Sequence, residues 1–359
     1  MENGITKKDS KFLYGVAIIL MIYHHLFCIP SRLQYPYFSV LDNLFGFTNV
    51  SVERPLAWFC KICVAIFAFI TGYGMARSLN NVIEHKVFKN LFLDYKNVVI
   101  RILKLILKIF LVLSVFTPLF ILLKDGKVTF LEYVSNVFTL SFSFCGEYWY
   151  AAFYTKILLL LPLFNLIFAC KSKNPLVRTL CIVIPLAIIV CTYMFCPKAP
   201  DYIYAIILAE GFLISRFKVF EKVSKYTKGT FGFVLSLIVL LLVIVLRIYA
   251  SNEAGYNYLD IFIAAPFVYS ILIIFNKAKH LYKGVCFLGG NSTYMWLTHT
   301  LIAYILFPRF TTISGISTVI FIQLVVVSLL LSFGFGFVER FIYFLLNKTK
   351  SVLLFRKKA

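Results

Sequence analysis

The sequence predicts an all-α, polytopic membrane helix bundle of about ten transmembrane helices with both termini cytoplasmic. Three observations carry that expectation. Of 359 residues, 61% are apolar and 14% charged, too little polar surface to cover a water-soluble globule of this size. Apolar runs near the 20 residues that cross a bilayer recur along the whole chain. Lysine and arginine fall in every second connecting segment, the pattern by which spans acquire their orientation.

The expected spans are 12–29, 56–77, 102–123, 149–169, 179–196, 201–215, 231–249, 259–276, 285–307 and 317–338, all within one membrane domain, 1–359. The sixth is short. The first keeps its place because no small-residue cleavage site follows Pro30, which argues against a removed leader. Lys7, Lys8 and Lys11 precede the first span, and Lys86, Lys89, Lys96 and Arg101 separate the second from the third. Lys171, Lys173 and Arg178, then Arg216 to Lys228, then Lys277 to Lys283, and finally Lys348 to Lys358 continue the alternation. The intervening segments hold Asp42, Glu53, Asp125, Glu132, Glu147 and Asp201. A net charge of +21 spread this way orients a membrane protein rather than forming a nucleic-acid face. The aromatic segments 30–55 and 124–147 are too polar to span and suit the outer interface, the former bordering a substrate entrance; SVLLFRKKA at the C-terminus reads as a basic, surface-seeking tail. The nine cysteines lie mostly in apolar runs and read as small buried hydrophobes, and no set of residues reads as a metal site.

Ionisable residues inside spans are costly and are functional candidates for that reason. Of five histidines, His85 and His280 fall in cytoplasmic loops, whereas His24, His25 and His299 fall inside spans. At 1.5 Å per residue, His25 stands roughly 21 Å beyond Lys11 and His299 roughly 24 Å beyond Lys283, so the two imidazoles share an outer-half layer. A late helix start at Gly289-Gly290 would bring His299 nearer mid-depth. Adjacent histidines point about 100° apart, so only one of His24 and His25 faces a given site. Tyr148 and Trp149 open the fourth span at the outer rim, and Glu210 is an acid inside the sixth span that needs a partner or water. Arg101, Lys104 and Lys108 form one helical stripe that either snorkels to headgroups or binds an anionic cosubstrate from the cytoplasm.

Four stretches in order carry a resemblance: KFLYGVAIILMIYHHLF at 11–27, KICVAIFAFITGYGMARS at 61–78, YWYAAFYTKILLLLP at 148–162 and FLGGNSTYMWLTHTLI at 287–302, followed by Glu339 in FVERF. Together they resemble the acyltransferase-3 family of bacterial integral membrane O-acyltransferases. In that pattern a histidine stands ten residues after a glycine, which Gly15 and His25 match, and RILK at 101–104 is similar to the family's basic pair on the third helix. Tyr14 stands where the family pattern usually has a basic residue, with Lys11 one turn earlier. The resemblance implies transfer of an acetyl group from acetyl-CoA, used as cosubstrate with no permanently bound cofactor, to a hydroxyl of a cell-envelope or exported polysaccharide at the bacterial plasma membrane. His25 and His299 would be catalytic. Lys11, Tyr14, Arg101 and Lys104 would hold the acyl-CoA, and Tyr148, Trp149 and Glu210 the carbohydrate or lipid-linked glycan acceptor. The alternative is a transporter or flippase for an anionic lipid-linked saccharide, for which no inverted repeat is evident in the sequence.

Overall fold

The computed structural model describes residues 4–45, 51–79, 87–124, 126–170, 172–195, 201–250 and 256–356. The described chain is helical throughout, with one isolated backbone bridge between Phe38 and Ile316. The all-α, polytopic bundle expected from the sequence is the observed fold class. Among the described residues, eight helices are long and apolar enough to cross a membrane. The helix of the expected sixth span, α9 (Asp201–Arg216), has 16 residues, and that of the ninth, α13 (Lys279–Thr300), carries a polar sequence. Both are nevertheless packed members of the bundle.

The first helix, α1 (Lys7–Phe27), begins five residues before the apolar run because Thr6 and Asp9 form a capping box. The Asp9 amide donates to Thr6 Oγ1 at 3.1 Å and the Thr6 amide to Asp9 Oδ2 at 2.8 Å, satisfying amides that a helix start leaves open. The other Asp9 oxygen accepts from the Tyr282 hydroxyl at 2.5 Å, fixing the start of α1 to α13. The expected second span is a short α3 (Glu53–Phe59) followed by α4 (Ile62–Ser78). The next helix, α5 (Val87–Lys124), has 38 residues, about 57 Å at the helical rise, so the basic segment before the third span is its helical extension. The fourth span is α7 (Trp149–Ala169). Beyond it come α8 (Pro175–Phe195), α11 (Gly229–Ala250), α12 (Asp260–Phe275) and α15 (Ser317–Arg356), and the short helices α2 (Val40–Leu44), α6 (Phe130–Val137), α10 (Val219–Val223) and α14 (Pro308–Thr311) lie in the connecting segments.

Two glycine-mediated helix pairs form the interior. A Cβ on Gly15 would lie 2.0 Å from the Val285 carbonyl oxygen, and one on Gly289 would lie 1.7 Å from that of Lys11, so α1 and α13 touch backbone to backbone. The pair α4 and α9 repeats the device: Gly72 meets the Leu208 carbonyl and Gly211 that of Phe69, at 1.8 and 2.2 Å from the added carbon. Lipid tails are as apolar as leucine, so close backbone packing is a main source of association in a bilayer. On the outside, α8 and α11 expose Val183, Ile184, Leu186, Leu241, Leu242 and Val245, the lipid-facing pattern for helices at the rim of a bundle.

Candidate active site

The glycine contact between α1 and α13 sets the geometry of the histidines. Gly15 and Gly289 meet where the two parallel helices cross, and each helix carries a histidine ten residues further on, His25 and His299. Equal rise and equal rotation from a shared crossing point bring the two side chains to one layer. Their ring centroids are 5.2 Å apart. The helix of α13 runs without interruption through Gly289-Gly290, so His299 keeps the depth expected of an early helix start.

His24 and His25 diverge as neighbouring helical residues must. The His24 ring is buried, and its Nδ1 donates to the Ala57 carbonyl at 2.8 Å, tying α1 to α3. His25 turns toward Glu147, with Nδ1 3.9 Å from Oε1 and no hydrogen-bond partner of its own. Glu147 is held in turn by Arg32, whose Nη1 donates to Oε1 at 2.8 Å. His299 has both local carbonyls, Trp296 at 2.8 Å and Met295 at 3.1 Å, against Nδ1. A carbonyl only accepts, so that nitrogen carries the proton and Nε2 is left with a lone pair. That Nε2 is buried without a partner among the described residues.

Two cavities meet near this layer. The one toward the C-terminal ends of α1 and α13, the outer one in the orientation expected from the basic loops, is about 330 Å³ and is lined by His24, His25, Arg32, Glu147, Trp149 and neighbours including Lys61. The inner one, about 390 Å³, is lined by Lys11, Tyr14, Arg101, Lys104 and Lys108 among others. Met21, Tyr150 and Trp296 line both. A third hollow of about 370 Å³ shares Arg32, Gly146 and Glu147 with the outer cavity and adds Gln34 and Tyr304. Of the cations in the inner cavity, Lys108 is occupied: its Nζ lies 2.6 Å from Glu339 Oε2, which also accepts from the Tyr294 hydroxyl at 2.9 Å. Lys11, Arg101 and Lys104 form no ion pair among the described residues.

All four residues expected to hold an acyl-CoA therefore line one cavity, and His25 and Trp149 line the next. His299 lies in the protein behind them with its ring against that of His25. Tyr148 is buried with its hydroxyl donating to the Leu297 carbonyl at 2.6 Å, and it lines neither cavity. Glu210 also lies outside their lining; its Oε2 is buried without a partner. Arg32, Tyr150 and Trp296 line these cavities although none of the three is expected there from the sequence. One signal was available for the last: the chain has three tryptophans, and Trp58, Trp149 and Trp296 all line the outer cavity. Arg32 gave no signal, because its partner lies 115 residues away.

A polytopic helical membrane protein with two joined cavities in its bundle, one lined by Lys11, Arg101 and Lys104 and the other by His25 and Glu147, is the class that fold and site define. Residues 12–337 match the acyltransferase domain model of the acyltransferase-3 family, and the chain belongs to that family of membrane acyltransferases. No curated protein and no solved structure matches it.

Proposed function

We propose that this protein transfers an acetyl group from acetyl-CoA to a hydroxyl of a cell-envelope or exported polysaccharide at the bacterial plasma membrane. The observation that carries the reading is the pair of cavities with three shared residues, Lys11, Arg101 and Lys104 lining one and His25 lining the other. Arg101, Lys104 and Lys11 hold the phosphates of the donor, because unpaired cations near a desolvated site bind phosphate strongly. Tyr14 and Tyr150 flank the path along which the pantetheine arm points outward. The acceptor enters through the hollow at Arg32 and Tyr304 and rests against Trp149.

In the reaction the acceptor oxygen attacks the thioester carbonyl carbon, and its proton passes to His25 Nε2. The carbon–sulfur bond breaks as the ester forms, and the leaving CoA sulfur takes up the proton from the imidazolium. Glu147, held by Arg32, faces Nδ1 of His25 and stabilises the charged ring between these steps, the role a carboxylate plays behind a catalytic histidine. His299, buried behind His25 with its ring 5.2 Å away, positions the His25 ring.

Two measurements test the reading. Purified protein in detergent, given acetyl-CoA, is expected to release free CoA. Mass spectrometry of envelope polysaccharide from cells with and without the gene is expected to differ by acetyl groups. Movement of an anionic lipid-linked saccharide without any CoA release or change in acetylation would replace it with the transporter reading.

A further inference from the structure

The hollow of about 370 Å³ beside the outer cavity has Ser31, Arg32, Gln34, Glu147 and Tyr304 in its lining. It adjoins the cavity that holds His25 at Arg32, Gly146 and Glu147. Two backbone irregularities meet at this hollow. Gln34 follows the turn Pro30–Leu33 with a φ of 64°, in the left-handed region that suits glycine and strains a residue with a side chain. Tyr304 lies in the π-helical turn Leu301–Leu306, which begins two residues past His299 and ends with the Phe307 amide donating to the Ile302 carbonyl at 3.0 Å. Turns of this kind are rare and recur at functional sites, and so do side chains held at positive φ.

The lining suits an uncharged, hydroxyl-rich ligand. Its charged side chains are Arg32 and Glu147, which balance each other: Arg32 Nη1 donates to Glu147 Oε1 at 2.8 Å, and the guanidinium lies 5.7 Å from the centre of the Tyr304 ring. A carboxylate or phosphate seated here would compete with Glu147 for Arg32 and be repelled by Glu147 itself. Ser31 and Gln34 are exposed, and their side chains make no hydrogen bond among the described residues. A hydroxyl and a primary amide each donate and accept, as the hydroxyls of a sugar do.

We propose that this hollow binds one uncharged sugar residue of the acceptor glycan, held by Gln34 and Ser31 through hydroxyls that are not acylated. The inference rests on the proposed acceptor path and names the chemical class that fits it. The sugar residue so held presents its remaining hydroxyl past Glu147 to His25. The left-handed conformation of Gln34 serves to bring its amide to that ligand, which is why a glutamine stands where the backbone alone would favour glycine.

The test uses cells lacking the gene and complemented with the full-length wild type, Gln34→Gly or Gln34→Glu. Labelled acetate is supplied, and mass spectrometry of the envelope polysaccharide reads both the rate of acetyl incorporation and the sugar residue that carries it. The wild type is expected to acetylate an uncharged sugar residue. Gln34→Gly is expected to lower the rate by about threefold to tenfold, the scale of one or two lost hydrogen bonds, while the thermal midpoint of the purified protein stays level or rises because glycine adopts this φ freely. Gln34→Glu keeps the shape, removes the amide donors and is expected to fall by a similar factor, so it reports if the glycine variant fails to accumulate. Acetyl groups on an acidic sugar residue, or wild-type rates in both variants, would overturn the sugar subsite and leave the transferase standing. Equal acetylation with and without the wild-type gene would overturn the transferase reading as well.

Discussion

Arg247 meets Asp260 through two hydrogen bonds, Nε to Oδ1 at 2.7 Å and Nη2 to Oδ2 at 2.9 Å, and its Nη1 donates to the Trp58 carbonyl at 2.7 Å. Both side chains are fully buried. Arg32 meets Glu147 through one bond of 2.8 Å, with side-chain exposures of 41% and 15%, and both residues line the outer cavity. The chemical pair is the same, but the first uses a bidentate fork and a carbonyl to satisfy the charge on every side, which is what a buried ion requires. It fastens α11, α12 and the end of α3. In the second, Glu147 accepts one bond from Arg32 and a weak one from the Cys145 thiol at 3.5 Å, and the carboxylate so held faces His25. In a membrane protein, then, a charge inside the bundle is by itself a weak guide to function; how completely its hydrogen-bonding capacity is used separates a rivet from a working group.

Mutations that remove one member of each pair sharpen this contrast. The largest effect is expected for Asp260→Ala, which leaves Arg247 charged and buried without its fork and destabilises the fold by about 3–5 kcal/mol. The yield of folded protein in detergent and its thermal midpoint should fall together, whereas replacing both partners by methionine and leucine should restore most of the loss. If Asp260→Ala keeps full stability and loses catalysis instead, the division between the two pairs is wrong.

Next comes His25→Ala, expected to lower acyl transfer by roughly 10²-fold or more, the scale of general acid–base work, with insertion and thermal midpoint preserved. His24→Ala, which loses the bond to Ala57 and a ring contact with Trp58 but no group facing Glu147, should lose less activity. A reversal, with His24 indispensable and His25 dispensable, would dissolve the proposed active site while leaving the bundle intact.

Arg101→Ala and Lys104→Ala are each expected to weaken acyl-CoA use by about 1.5–3 kcal/mol, through apparent affinity rather than turnover. Unchanged affinity in the double variant would leave these side chains as headgroup anchors.

The smallest expected effect belongs to Glu147→Gln. The carboxylate stands 3.9 Å from His25, and a partly exposed ion pair of that length is worth about 1 kcal/mol, so the rate should fall roughly fivefold to tenfold with little change in stability. A loss of folded protein as large as that of Asp260→Ala would place Arg32–Glu147 among the rivets.

The fold class and most span positions were legible because a bilayer imposes a length and an apolarity that composition must meet, and the family pattern was legible in Gly15, His25, Gly289 and His299. What those glycines do was not. Their spacing of ten residues in two distant stretches becomes meaningful only when α1 and α13 cross with backbones touching at Gly15 and Gly289, which then carries both histidines to one layer. The choice of His25 over His24 came from the family resemblance, whose glycine-to-histidine spacing Gly15 and His25 match; helical geometry says only that the two side chains diverge. The sequence alone also placed Lys11, Tyr14, Arg101 and Lys104 on the same side, and tertiary packing gathered them around one cavity while fastening Lys108 to Glu339 across 231 residues. Arg32, Tyr150, Trp296, Arg247 and Asp260 took their roles from packing alone. A span is recognised by a local average over about 20 residues, whereas an ion pair, a cavity wall or a shared layer depends on distances between side chains far apart in the chain, and those are fixed only when the helices have packed.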